Sequence, residues 1–188
     1  LDADDLDFVG VDAFFLNGCA SYDQGMGLLE NGAVGGVVTL TEVVNSGATR
    51  VGKAMVKLLN HGYPLHSAIH VASQQSFVGG QYSVVGNGDL DVVQGQGIGS
   101  VITTVERTDS GYTASIRTFP DGGDFAVGAM SAMTIGSDPE YFLAPGHLGT
   151  ERYESSEELM TDFSEGHNLI RYDGDILSLS EFRSRIRD

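Results

Sequence analysis

The apolar positions of this chain fall into short runs and stripes whose period changes along its length. Ala13-Phe14-Phe15-Leu16 is a continuous apolar run between Asp12 and Asn17-Gly18, the pattern of a strand buried on both faces. Ser21 to Glu30 reads as a short helix ended by Asn31-Gly32, and Ala33-Val34-Gly35-Gly36-Val37-Val38-Thr39-Leu40 as a second buried strand. Strand, helix and strand in that order predict a parallel pair joined by a right-handed crossover. From an N-cap at Thr41, the residues Val44, Ala48, Val51, Met55, Leu58 and Leu59 recur at helical spacing until Gly62, which predicts a long amphipathic helix. Pro64 suits a first helical position, and Leu65, Ala68, Ile69 and Ala72 mark a shorter helix behind it.

Strands are predicted next at Gln81 to Val85 and at Leu90 to Val93, around the turn residues Gly86-Asn87-Gly88-Asp89. Beyond about Gly95 the texture changes. Ser100 to Arg107 and Tyr112 to Phe119 alternate apolar with polar around Thr108-Asp109-Ser110-Gly111, a hairpin with one wet face. Further strands are predicted at Ala129 to Ile135, Asn168 to Tyr172 and Ile176 to Leu179, with Ser180 capping a short terminal helix. The expected organisation is an α/β region over residues 1–95 and a β-rich extension over 96–188.

Charge narrows the setting. The 188 residues carry 26 acidic and 10 basic side chains, a net charge of -16, and Lys53 and Lys57 are the only lysines. Such a charge repels nucleic acid and anionic membranes, and its spread along the chain together with scarce lysine suits a halophilic cytoplasm. One cysteine cannot form an internal disulfide, no run of about 18 apolar residues exists to span a membrane, and the acidic start is unlike a signal peptide. The expectation is a soluble, cytoplasmic segment of a longer polypeptide.

The chemistry on offer centres on Cys19. A thiol where a buried strand ends and a helix begins stands near helix N-terminal amides, which favour a thiolate. Gly18 permits close backbone approach, and the Cys19 amide is placed to face a developing oxyanion. A lone cysteine beside apolar residues is also ordinary core filler. Other motifs read as structure: His66 and His70 share a helix face but lack a third ligand at motif spacing, so no metal is expected. Gly79-Gly80, Gly86-x-Gly88 and Gly95-x-Gly97-x-Gly99 lack the strand-to-helix context of a phosphate loop and read as turns. Glu151 to Glu158 reads as a solvated face.

Read together, Phe14-Phe15-Leu16-Asn17-Gly18-Cys19-Ala20-Ser21, then Gly32-Ala33-Val34-Gly35-Gly36-Val37-Val38, then Leu59-Asn60-His61-Gly62-Tyr63-Pro64-Leu65 and Ala68, resemble the caspase-like cysteine peptidases of the CHAT family. The resemblance spans roughly residues 7 to 95. It implies the C-terminal part of a caspase-like parallel-sheet sandwich and a cysteine endopeptidase without cofactor, with Cys19 as nucleophile, Gly18 and the Cys19 amide at the oxyanion, and a peptide or protein as substrate. It also implies a cleft lined by Thr39 to Val43, with Thr39 and Thr41 beside the substrate and Glu42 and Asp23 selecting a basic residue. The family's histidine precedes the nucleophile by one strand, whereas His61, His66, His70, His147 and His167 all follow Cys19. The base is therefore expected from upstream sequence or another chain. A non-catalytic scaffold of the same fold, contacting a protein partner through the β-rich extension, is the alternative, and a flavodoxin-like binding domain is a third.

The charge argument makes a prediction about salt. The screening length grows from about 3 Å at 1 M to about 30 Å at 0.01 M, so the melting temperature is expected to fall as salt is removed. An unchanged thermal midpoint across that range, read by circular dichroism, overturns the halophilic reading.

Overall fold

The computed structural model describes residues 10–74, 79–93, 100–119, 146–163 and 169–186. The chain divides into two units, 1–94 and 95–188. Together they are mixed α/β, and among the described residues no helix is long and apolar enough to cross a membrane.

The first unit is built on a three-stranded sheet in the order β1-β2-β3. Strand β1 is Ala13–Phe15, helix α1 is Tyr22–Glu30 and strand β2 is Gly35–Thr39. β1 and β2 run parallel, with Ala13 opposite Gly35 and Phe15 opposite Val37, as the strand, helix and strand order predicts. Every residue of β2 is buried, which fits a central strand whose apolar run does not alternate. Helix α2 (Asn45–Asn60) and helix α3 (Leu65–Ser73) follow, and after a single 3-10 turn strand β3 (Tyr82–Gly86) closes the sheet.

β3 pairs antiparallel to β2, with Thr39 opposite Tyr82 and Gly35 opposite Gly86, so the sheet is mixed where the resemblance implies a parallel-sheet sandwich. The reason lies in the connection. Two successive helices carry the chain away from the end of β2 and back to it, so the next strand must run the other way. This register also departs from a flavodoxin-like sheet, whose strands are parallel.

Helices cover both faces of the sheet. On one face Phe14, Val38 and Val85 pack with Leu28 of α1. Gly25 of α1 allows that approach, because a Cβ there would stand 2.3 Å from Val38 Cγ1. On the other face Gly88 lies between His66 of α3 and Val84 of β3, while Gly52 of α2 lies over Phe15. α2 turns Ala48, Val51, Ala54, Met55 and Leu58 inward, but Val44, expected on that stripe, is 67% exposed.

Local boundaries differ from expectation where tertiary partners intervene. α2 begins at Asn45 behind an extended Val44, not at a Thr41 cap, because the carbonyl of Thr41 accepts the Ala20 amide at 3.2 Å and Val43 is buried. Pro64 is the N-cap of α3, and the helix starts one residue later. Leu90 to Val93 form no strand. Instead Leu65 and His66 donate their amides to the carbonyls of Leu90 and Gly88, at 3.2 and 2.9 Å, which supplies acceptors for the free N–H groups that begin any helix.

The second unit holds a five-stranded mixed sheet in the order β6-β5-β4-β7-β8. Strands β4 (Ser100–Thr108) and β5 (Gly111–Phe119) form the expected hairpin. β5 also pairs antiparallel with β6 (Gly146–Tyr153), and β4 pairs parallel with β7 (Leu169–Tyr172), which turns at Asp173-Gly174 into β8 (Asp175–Leu177). Helices α4 (Ser156–Asp162) and α5 (Leu179–Arg185) complete the unit, and their Leu159 and Phe182 join Val105, Ala114 and Ile170 of the sheet in one core. The ring of Phe182 meets Phe163 and Tyr172 edge-on at 5.9 and 5.3 Å, a favoured aromatic geometry.

α5 is capped by Ser178, not Ser180: Ser178 accepts the Glu181 amide while Glu181 returns a bond to the Ser178 amide, a reciprocal capping box. The acidic stretch from Glu151 is split between the end of β6 and the start of α4, where Ser155 caps the helix and the Glu158 carboxylate accepts the Glu154 amide at 2.8 Å. The strand expected at Ala129 to Ile135 and the glycines from Gly95 to Gly99 lie outside the described residues.

The tightest packing constraint of the first sheet is at Gly36, where a Cβ would stand 2.3 Å from the Phe14 ring. Gly36→Ala is expected to cost about 1–3 kcal/mol through overpacking. Urea unfolding checks this, and a loss below about 0.5 kcal/mol would show that Phe14 can move aside.

Candidate functional site

The site begins with the exit of β1. Leu16 continues the pairing through its amide, which donates to Val37 at 2.8 Å, and the chain then leaves the sheet. Residues Asn17 to Ala20 turn above the C-terminal end of the parallel pair, the edge where open α/β sheets bind ligands. Cys19 is at the crest of this turn and exposed.

Two buried hydroxyls hold the turn down. Ser21 and Thr39 are 1% and 0% exposed, and their oxygens lie 3.0 Å apart. The Thr39 amide donates to Ser21 Oγ at 2.9 Å and the Ser21 amide to Thr39 Oγ1 at 3.2 Å. Ser21 Oγ reaches the Leu16 carbonyl at 3.1 Å, and Thr39 Oγ1 donates to the Gly18 carbonyl. Each hydroxyl thus satisfies backbone groups on the far segment, which would otherwise be buried without partners.

Asn17 anchors the other side of the turn. Its Nδ2 donates to the Ala48 carbonyl of α2 at 2.9 Å, and its Oδ1 accepts the Tyr82 hydroxyl at 2.5 Å. Tyr82 stacks on Phe15 with ring centroids 6.2 Å apart. Burial, and then the negative charge that Cys19 carries when ionised, push the Tyr82 hydroxyl above its ordinary pKa, so it stays a neutral donor at neutral pH. Ala20 adopts a left-handed conformation at φ 50, unfavourable for a residue with a Cβ, and the hydrogen bond its amide donates to the Thr41 carbonyl holds it there.

The sulfur of Cys19 has one polar contact among the described residues, donating to the Val43 carbonyl at 3.9 Å. The expected partners at the start of α1 are not what it meets, because Ser21 and its bonds to Thr39 occupy that end of the helix. Among the described residues the Gly18 and Cys19 amides have no hydrogen-bond partner, the condition for donors facing an oxyanion.

Of the residues expected to line a cleft, the structure separates Thr39 and Val43, both buried, from the rest. Thr39 is fully buried and holds the turn, so its side chain does not face a substrate. Thr41, Glu42 and Asp23 are exposed, with Thr41 beside Ala20 through its carbonyl and Asp23 in the first turn of α1. Sequence reasoning missed Asn17, read as a turn residue, and Ser21 and Tyr82, read as helix and strand residues. Their sequence signals are weak, since their partners lie 31, 18 and 65 positions away.

His61, His66 and His70 are engaged elsewhere. His61 Nδ1 meets the Lys57 carbonyl at 2.8 Å, and His70 Nε2 meets Gln74 at 2.9 Å. His66 places Nδ1 3.2 Å from Asp89 and 3.0 Å from the Gly88 carbonyl, with Nε2 3.0 Å from Ser67 Oγ. That order of groups resembles a hydrolytic triad, but the accessibilities are inverted: the Ser67 residue is 1% exposed and the Asp89 side chain 73%. A triad needs an accessible nucleophile and a buried acid, so His66 serves to tie α3 to the Gly88-Asp89 turn. His167 lies outside the described residues. Among the described residues no group of three His, Cys, Asp or Glu side chains is arranged to hold a metal.

Thr39→Val keeps the side-chain shape but removes the oxygen that serves Gly18 and Ser21. It is expected to destabilise the protein by about 1–3 kcal/mol, the cost of buried groups left without partners. Denaturant melts measure the loss, and limited proteolysis is expected to cut first within the Asn17 to Ala20 turn.

Compared with protein-family models, with curated proteins and with solved structures, the chain matches none.

Proposed function

We propose that the first unit is the C-terminal part of a caspase-like, CHAT-type cysteine endopeptidase domain, with Cys19 as nucleophile and a histidine from outside this segment as base. The observation that carries the reading is an exposed thiol at the C-terminal edge of a parallel strand pair, on a turn pinned by buried hydrogen bonds. Preorganisation of that kind suits a nucleophile, because geometry fixed before binding costs nothing at the moment of reaction.

In this mechanism the histidine takes the proton from Sγ, and sulfur bonds to the scissile carbonyl carbon. The Gly18 and Cys19 amides stabilise the oxyanion. The C–N bond then breaks, the histidine returns its proton to the departing amine, and water hydrolyses the acyl-thioester to release the acid and restore the thiol. No cofactor takes part. Asp23 and Glu42 are exposed near this turn and would favour a basic substrate side chain.

One observation favours a second reading, in which the fold is a scaffold for protein assembly. The thiol donates to a carbonyl, and His61, His66 and His70 all hold other partners. The two readings separate in the full-length native protein. A peptidase is expected to cleave Arg- or Lys-containing peptides, to lose at least a thousandfold in kcat/KM on Cys19→Ala with an unchanged melting curve, and to be inactivated by one equivalent of iodoacetamide. Full partner binding by Cys19→Ala, with no cleavage by the wild type, would establish the scaffold and end the enzyme reading.

A further inference from the structure

The first 94 residues contain three basic side chains, Arg50, Lys53 and Lys57, and all three lie on α2, which has no acidic residue. At 100° per residue they occupy an arc of about 60° and a length of about 10 Å along the helix. The opposite side of α2 is buried through Ala48, Val51, Ala54, Met55 and Leu58, so the cations line the outer face. Arg50 and Lys53 are exposed, and among the described residues neither has a carboxylate partner.

That arrangement is unusual for an acidic chain. With 26 carboxylates against 10 cations, scattered basic residues would be expected to pair with nearby acids. Here three are collected in eight positions and two stand unpaired. Beside them Val56, three residues beyond Lys53, is 64% exposed, so the outer face of α2 is both basic and partly apolar.

We propose that the outer face of α2 docks an acidic amphipathic helix of a partner protein. Carboxylates repeating at three- and four-residue steps match the Arg50, Lys53 and Lys57 row, since the two helices share one rise per residue. An apolar position beside that row would cover Val56. Nucleic acid fits less well: three cations give few phosphate contacts, the net charge of -16 opposes a long polyanion, and phosphates offer nothing to an exposed valine. The surface does not depend on Cys19, so it stands whether the first unit is a peptidase or a scaffold.

The test uses the full chain and a fluorescein-labelled 18-residue helix-forming peptide with Glu at positions i, i+3 and i+7 beside a row of Leu. Fluorescence anisotropy is expected to show saturable binding that weakens at least tenfold when the three Glu are replaced by Gln. Arg50→Glu with Lys53→Glu should weaken it at least tenfold, Arg50→Gln with Lys53→Gln by an intermediate factor, and Cys19→Ala not at all. Circular dichroism checks folding, and the Gln pair carries the test if the reversed pair does not fold. Absence of binding, equal binding of the Gln peptide, or unchanged binding by the variants overturns the proposal. Tighter binding of a single-stranded oligonucleotide, or a dimer in sedimentation that the Gln pair dissolves, overturns it in favour of nucleic acid or a second copy.

Discussion

The bonds between Ser21 and Thr39 are the constraint on which the rest of the first unit depends. They join the turn after β1 to the end of β2, and the two hydroxyls and two amides involved are buried together. A buried polar group without a partner costs free energy comparable to a lost hydrogen bond, so the turn has little freedom to lift away. From that fixed point α1 departs at Tyr22, while the segment after Thr39 passes beside Cys19 before α2 begins at Asn45. The late start of α2 follows from this crossing: Thr41 holds Ala20 and the carbonyl of Val43 receives the thiol.

Small residues let this arrangement close. Gly25 admits Val38 against α1, Gly36 admits Phe14 against β2, and Gly52 leaves space for Asn17 beneath α2. At each a neighbouring side chain packs against the backbone where a Cβ would otherwise stand. The site is thus supported from three elements: β2 through Thr39, α2 through Ala48, and β3 through Tyr82. A reactive group on a turn gains precision from such supports, since a loop alone fixes geometry less well than the strands and helices beneath it.

Charge follows a different logic from packing. Acidic side chains are spread over both units, while the basic residues of the first are confined to one face of one helix. In the second unit Arg185 pairs with Asp175 at 2.6 Å, and burial followed by the proximity of Arg117 lowers the pKa of Arg171. The basic groups are therefore used in distinct ways, as an ordinary surface pair, as a half-buried member of a sheet, and as a row along the outer face of one helix.

The sequence by itself determined the elements whose signals are local. A continuous apolar run, β-branched residues and helical spacing placed β1, β2, α2 and the β4 and β5 hairpin, and strand-helix-strand order determined that β1 and β2 are parallel. It also put Cys19 at the strand exit. Tertiary structure decided whatever depended on partners distant in the chain. Thr39 looks like a strand residue at a cleft and is a buried clamp, because its partner Ser21 is brought to it by the α1 crossover. Leu90 to Val93 have strand composition, but Leu90 and Gly88 turn their carbonyls to the amides of α3 instead. β3 is antiparallel because two helices, not one, precede it. Hydropathy patterns report which face of a segment is buried, whereas hydrogen-bond partners and strand direction are properties of the assembled chain, and only the fold could fix them.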